Sequence, residues 1–135
     1  MGKKGGTMSY YFSKTLKVSF DEAIAKVTEA LKKDGFGIIT EIDVKETLKE
    51  KLNVDFRKYR ILGACNPPYA YKALQAEDKI GLMLPCNVIL QELPGGKVEV
   101  AAIDPVASMA AVKNTKLGEV GREVSAKLKA VIDNL

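Results

Sequence analysis

Two strand-like segments near the middle of the chain are joined by a short turn, which constrains the fold more than any other feature. Residues 82–93 and 98–103 are rich in aliphatic side chains, and Pro94-Gly95-Gly96 lies between them. Proline and glycine in such a gap are typical of a hairpin turn, and a hairpin joins antiparallel strands. The sequence therefore predicts a β-hairpin whose first strand is interrupted by Pro85.

Three further strands are predicted before the hairpin, at residues 10–18, 36–44 and 57–64, from their apolar alternation. The second of them is predicted to place four apolar side chains on one face: Phe36, Ile38, Ile42 and Val44. Because the strands come in adjacent pairs, the pattern favours an α+β fold with a largely antiparallel sheet over a doubly wound parallel one.

Helices are predicted between these strands. Ser19 and Glu22 have the spacing of a capping box, and Gly35 is suited to a left-handed C-terminal cap. A short helix is expected at 45–53, and Asn66-Pro67-Pro68 indicates the start of another at 68–77. A long C-terminal helix is predicted, in which Gly118 and Gly121 either allow close packing or mark a break near Asn114. Its apolar residues recur every three or four positions: Leu117, Val120, Val124, Leu128, Val131 and Leu135.

The length of 135 residues predicts one domain with a single core. Residues 1–7 are rich in glycine and lysine and are expected to be a disordered leader or an expression remnant, with the domain at 8–135. Without Lys3 and Lys4 the net charge falls from +4 to +2, which weakens the case for a nucleic-acid partner.

No apolar run approaches the ~20 residues of a membrane span. Two cysteines and no signal peptide predict a reducing cytoplasm.

Two kinds of function are disfavoured by residue content. The chain has no histidine, which excludes Cys–His and Ser–His–Asp catalysis. Its only arginines are Arg57, Arg60 and Arg122, and the lysines form no basic stripe, so binding to nucleic acid is not expected. The acidic residues form no helical pair that looks like a general acid and base, so a non-enzymatic protein is predicted.

The two cysteines, Cys65 and Cys86, are each followed by asparagine and lie near proline. Cys65 comes between a predicted strand and a predicted helix, and a helix N-terminus lowers a thiol pKa. If the two flanking strands were parallel, the thiols would be roughly 20 Å apart, at opposite edges of the sheet. If the strands are antiparallel neighbours, as the paired pattern favours, both thiols share one edge.

Three segments, LGACNPPYAYKAL, IGLMLPCNVILQE and VEVAAIDPVASM, resemble in their order the family known as domain of unknown function 302. This resemblance spans about residues 8–135 and implies a TATA-binding-protein-like α+β fold, an antiparallel sheet packed on helices, and a homodimer. It implies no activity. The family pattern falls on these positions: Gly63, Cys65, Asn66, Pro67, Pro85, Cys86, Asn87, Asp104, Pro105 and Met109.

The leading hypothesis from the sequence is a cytoplasmic binding domain that holds a small ligand, or a soft metal ion such as Cu or Zn, through Cys65 and Cys86. The candidate ligand-binding residues are Cys65, Asn66, Cys86, Asn87, Asp104 and Met109; none is predicted to be catalytic. One alternative is a thiol-dependent redox or sulfur-carrying protein, in which Cys65 is the attacking nucleophile and Cys86 is the resolving thiol. The other is a structural or assembly module.

Simpler roles remain open for the same residues. The cysteines could be buried and inert, or joined in a structural disulfide. Asn66 and Asn87 could be cap and turn residues, and Asp104 a turn former before Pro105. Tyr69 and Tyr71, two positions apart on a helix, are predicted to lie on different faces, so that at least one is exposed and could guard a cleft.

Overall fold

Five antiparallel strands form one sheet with helices packed on it. The computed structural model describes residues 9–135, so the predicted leader and Met8 lie outside the described residues. In chain order the elements are β1 (Tyr11–Leu16), α1 (Phe20–Lys33), β2 (Gly37–Asp43), α2 (Val44–Leu52), β3 (Tyr59–Cys65), α3 (Pro67–Ala76), a 3₁₀ helix (Asp78–Met83), β4 (Cys86–Glu92), β5 (Val98–Ile103), α4 (Pro105–Ser108) and α5 (Thr115–Asp133). The strand order is β1-β5-β4-β3-β2, and every neighbouring pair is antiparallel.

This architecture confirms the predicted single α+β domain with a largely antiparallel sheet and a long C-terminal helix. The hairpin is β4 and β5, in which Glu92 pairs with Val98 across the turn. Among residues 9–135, none of the helices combines the length and hydrophobicity that a membrane span requires.

The start and end of α1 follow from local sequence. The Ser19 hydroxyl accepts a hydrogen bond from the Glu22 N–H at 3.1 Å, and the Glu22 carboxylate accepts one from the Ser19 N–H. This reciprocal pair is the predicted capping box. Past the last helical residue, Gly35 has φ +88°, a left-handed conformation that glycine adopts without steric cost.

The core lies between one face of the sheet and the helices α1 and α5. Along β4 and β5 every second residue is buried, and these side chains belong to the same cluster as the stripes of the two helices. The largest fully buried side chains of this cluster are Leu31, Leu62, Leu90, Leu128, Ile132, Val27, Val88, Val98, Val100 and Val131. Each such buried side chain contributes roughly 1.5–3 kcal/mol of transfer free energy, so this packing fixes which face of the sheet the helices cover.

A β-bulge in β2 overturns one predicted face. Ile38 pairs with Ala64 and Thr40 pairs with Gly63, so Ile39 is an extra residue without a partner on β3. One inserted residue reverses the alternation of side chains that follow it. Ile42 therefore lies opposite Ile61 on the other face of the sheet and is 48% exposed. Ile38 packs against the same core as Phe36, as predicted, but the prediction that Ile42 shares their face is wrong, and Val44 belongs to α2 rather than to the strand.

The predicted strand at 82–93 is also shorter than expected. Residues up to Met83 form the 3₁₀ helix, in which Leu82 is 86% exposed, and β4 begins only at Cys86. Pro85 has no N–H to donate to a strand ladder, so the strand starts after it rather than continuing through it.

Gly63 of β3 lies where two neighbouring segments approach the backbone closely. A Cβ atom at this position would overlap the Thr40 hydroxyl and lie 2.7 Å from Pro85 Cγ. We expect Gly63→Ala to lower the free energy of unfolding by about 1–3 kcal/mol, the usual cost of overpacking. Urea denaturation measures this change.

The matched control is Gly37→Ala, because a Cβ at Gly37 would meet nothing within 4 Å. This variant should unfold at nearly the same urea concentration as the unaltered chain. An equal loss of stability in both variants would show that the close approach around Gly63 does not matter.

Candidate functional site

A largely apolar cavity of about 340 Å³ lies at the edge of the sheet where β3 ends and β4 begins. Side chains from α3, the segment after the 3₁₀ helix and α5 form its walls, among them Ala73, Leu84, Pro85, Val120 and Val124. Among residues 9–135, none of those that line it is charged. A site of this kind holds a ligand mainly by excluding water from apolar surface.

Both cysteines line this cavity. Because β3 and β4 are antiparallel and Ala64 pairs with Cys86, Cys65 lies one position beyond that pair, at the same edge of the sheet. The antiparallel arrangement favoured from the sequence is thus confirmed, and the parallel alternative is wrong. Both thiols are free, so the structural disulfide is wrong as well.

The Cys86 thiol is in a poor environment for ionisation. Burial, and to a smaller extent the neighbouring Cys65, raise its pKa from 9.0 to about 11. A thiol must lose its proton to act as a nucleophile or to bind a metal ion. In residues 9–135 no group of three or more His, Cys, Asp or Glu side chains is placed to hold a metal.

Asn66 occupies the N-cap position of α3 but does not cap the helix. Its side chain makes no capping hydrogen bond, and its Nδ2 instead donates to the Asp34 carbonyl at 3.1 Å. The two prolines that follow have no N–H, so of the N2 and N3 amides that a capping side chain normally accepts from, only that of Tyr69 remains. The predicted capping role is therefore wrong. The Asn66 side chain ties the loop after α1 to the cavity wall.

Met109 completes the set of candidates that meet at the cavity: Cys65, Asn66, Cys86 and Met109 all line it. Asp104 has a different role, because its Oδ1 accepts hydrogen bonds from the Val106 N–H at 3.0 Å and from Ser125 Oγ at 2.8 Å. It caps α4 and links α4 to α5. Asn87 is exposed and lies between Cys86 and Val88, which are buried. Its side chain therefore faces the opposite side of the sheet.

Apart from a tyrosine that could guard a cleft, the contribution of α3 to this site was not predicted. Tyr69, Ala70, Ala73 and Leu74 line the cavity, at a spacing that corresponds to one face of a helix. That spacing is visible in the sequence and was the available signal. Tyr71 is 65% exposed, which confirms that the two tyrosines lie on different faces.

The chain belongs to the family described as "Domain of unknown function DUF302", whose model matches residues 12–135. Among solved structures it is similar to the crystal structure of an uncharacterized conserved protein DUF302 from Bacillus stearothermophilus. The two share 26% sequence identity with a TM-score of 0.85, over 92% of this chain and 96% of that chain. A comparison with curated proteins found no match. The TATA-binding-protein-like label stays a prediction, with which the sheet and its helices are compatible.

The raised pKa of Cys86 has a measurable consequence. At pH 8 this thiol should hold roughly a hundredfold less thiolate than an unperturbed one, because its pKa is about 11 rather than 9.0. We expect its alkylation by iodoacetamide in the folded chain to speed up with each pH unit up to about 11. Mass spectrometry of peptides from timed samples measures this rate.

The unfolded chain provides the control, since its thiols ionise near their ordinary pKa. The unfolded state therefore ionises first as the pH rises from 9 to 11, and the free energy of unfolding should fall over that interval. A rate for Cys86 that levels off near pH 9 would contradict the effect of burial.

Proposed function

We propose that this chain is a non-enzymatic binding domain that holds a small apolar ligand in the cavity at the β3–β4 edge. The observation that carries the proposal is the convergence of three distant segments of the chain on one cavity. Cys65 and Asn66 come from the first segment, Pro85 and Cys86 from the second, and Pro105 and Met109 from the third. These are the segments through which the sequence resembles its family.

The volume and lining of the cavity support a ligand of modest size. About 340 Å³ is at the lower end of the range for small-molecule sites, ~300–1,000 Å³. It is about twice the ~150 Å³ of an engineered apolar cavity in another protein that stays dry and binds benzene. An eight-carbon chain or a pair of fused rings has a volume of the right order. Its binding free energy would come from removing its apolar surface from water.

A soft metal ion held through the cysteines is the weaker form of this proposal. Two thiols and the Met109 thioether are soft donors of the kind that Cu(I) prefers, and a two-thiol site would leave Zn incompletely ligated. The raised pKa of Cys86 opposes the deprotonation that either metal requires. The same protonated thiol disfavours the redox alternative, in which Cys86 would act as the resolving thiolate. We therefore place the apolar ligand first.

Other expectations from the sequence stay predictions. These are the homodimer, the cytoplasmic location, the lack of a nucleic-acid partner and the assembly module. The alternate residues of β4 and β5 that face away from the helices are only partly buried, and an assembly partner would use that face.

The ligand proposal is tested by filling the cavity. Ala70 of α3 lines the cavity and is partly exposed, so a larger side chain can enter the cavity without disrupting the core. We expect the unaltered chain to bind octan-1-ol in isothermal titration calorimetry. Ala70→Phe should weaken this binding at least about tenfold, which corresponds to ~1.4 kcal/mol.

Ala126→Phe is the matched control, because Ala126 is an exposed helical residue of α5 outside the cavity lining. It should leave octan-1-ol binding unchanged. Equal binding by all three proteins would place the alcohol elsewhere, and no binding by the unaltered chain would contradict the proposal.

The metal form is tested separately with Cu(I) and Zn(II). If the cysteines hold a metal, Cys65→Ser should lower the metal content of protein purified without chelator, measured by native mass spectrometry. Equal metal uptake by the unaltered chain and by the Cys65→Ser/Cys86→Ser double variant would eliminate this form.

A further inference from the structure

Two ammonium groups lie beside Tyr69, at the border of the cavity. This residue lines the cavity, and its ring centroid is 5.5 Å from Lys72 Nζ and 5.9 Å from Lys127 Nζ. Lys72 is one turn further along α3, and Lys127 comes from α5. Two ammonium groups on different helices are therefore held on the same aromatic ring at the boundary of an apolar site.

One acidic group also acts on this side chain. The Glu123 carboxylate raises the pKa of the Tyr69 phenol, chiefly as a hydrogen-bond acceptor for it. The two ammonium groups and the one carboxylate that interact with Tyr69 sum to a charge of +1.

Within the described part of the chain, the interior of the cavity offers no charged side chain that could pair with an ionised group. Among residues 9–135 no Asp, Glu, Lys or Arg lines it, and one of the two N–H groups of the Asn66 amide is already bonded to the Asp34 carbonyl. Burying an ionised group there without a partner would be strongly unfavourable. A charged part of a ligand must therefore remain at the border, where the ammonium groups of Lys72 and Lys127 lie against the Tyr69 ring.

We infer that the ligand is an amphipathic carboxylate, whose hydrocarbon part occupies the cavity and whose carboxylate lies beside Lys72 and Lys127. This inference rests on the proposed function, because it assigns a chemical class to the ligand of the same cavity. The apolar part supplies most of the affinity, and the two ammonium groups select an anionic head over a cationic one.

The test uses three eight-carbon probes with different heads: octanoate, octan-1-ol and octylammonium. Isothermal titration calorimetry of the full chain should show that octanoate binds about tenfold more tightly than octylammonium. Because the lysines are accessible to solvent, raising the salt concentration should weaken octanoate binding and leave octan-1-ol binding unchanged.

The double variant Lys72→Met/Lys127→Met removes both charges and keeps side chains of similar length. It should weaken octanoate binding about three- to tenfold and leave octan-1-ol binding unchanged, which also shows that the cavity is intact. The matched control, Lys32→Met/Lys33→Met, removes two charges from the end of α1 and should change neither affinity.

The outcomes separate the two claims. If octan-1-ol binds in the cavity but octanoate binding does not respond to the lysine variant, the carboxylate inference is overturned and the proposed function stands. Tighter binding of octylammonium than of octanoate would overturn it in the same way. If none of the three probes binds, the proposed function fails and the inference fails with it.

Discussion

The antiparallel pairing of β3 with β4 is the constraint on which the rest of the structure depends. Its register sets Ala64 opposite Cys86, which brings the end of one strand and the start of the next to one edge of the sheet. The start of α3 and the turn at Pro85 therefore lie at this edge and line the cavity, and residues of α4 and α5 line its other side. A parallel pairing would have separated the same residues by most of the length of a strand.

The contents of that edge are the basis of the proposed binding site. The walls are largely apolar, burial raises the pKa of one thiol, and the ammonium groups of Lys72 and Lys127 lie beside Tyr69 at the border. Among residues 9–135 no charged side chain lines the cavity, so an ionised group would have no partner of opposite charge inside it. The arrangement instead suits an apolar body that enters the cavity and leaves a polar end outside.

Local features of this fold could be predicted from the sequence because their causes are local. The capping box of Ser19, the left-handed Gly35 and the hairpin turn each depend on a few neighbouring residues. The bulge at Ile39 could not be predicted, since a single extra residue leaves no mark in the apolar pattern. The partner of Asn66 could not be predicted either, because the Asp34 carbonyl is 32 positions away and is brought near only by the tertiary fold.

The candidate site could be predicted only in part, because motifs identify residues but not how the helices pack around them. Cys65, Asn66, Cys86 and Met109 were chosen from motifs, and the fold brings them to one cavity. The cavity itself is a gap between α3 and α5, and its size depends on how those helices pack, which no motif encodes. Asp104 shows the limit of motif reasoning, because its carboxylate is used to hold α4 and α5 together.

The most direct test of the central claim is to locate a bound apolar molecule by NMR. Nuclear Overhauser effects between octan-1-ol and an isotope-labelled chain report which methyl groups lie within a few ångströms of the probe. The account predicts contacts to Val120, Val124 and Met109, which line the cavity. Contacts confined to Ile89 and Ala101, on the opposite face of the sheet, would contradict it.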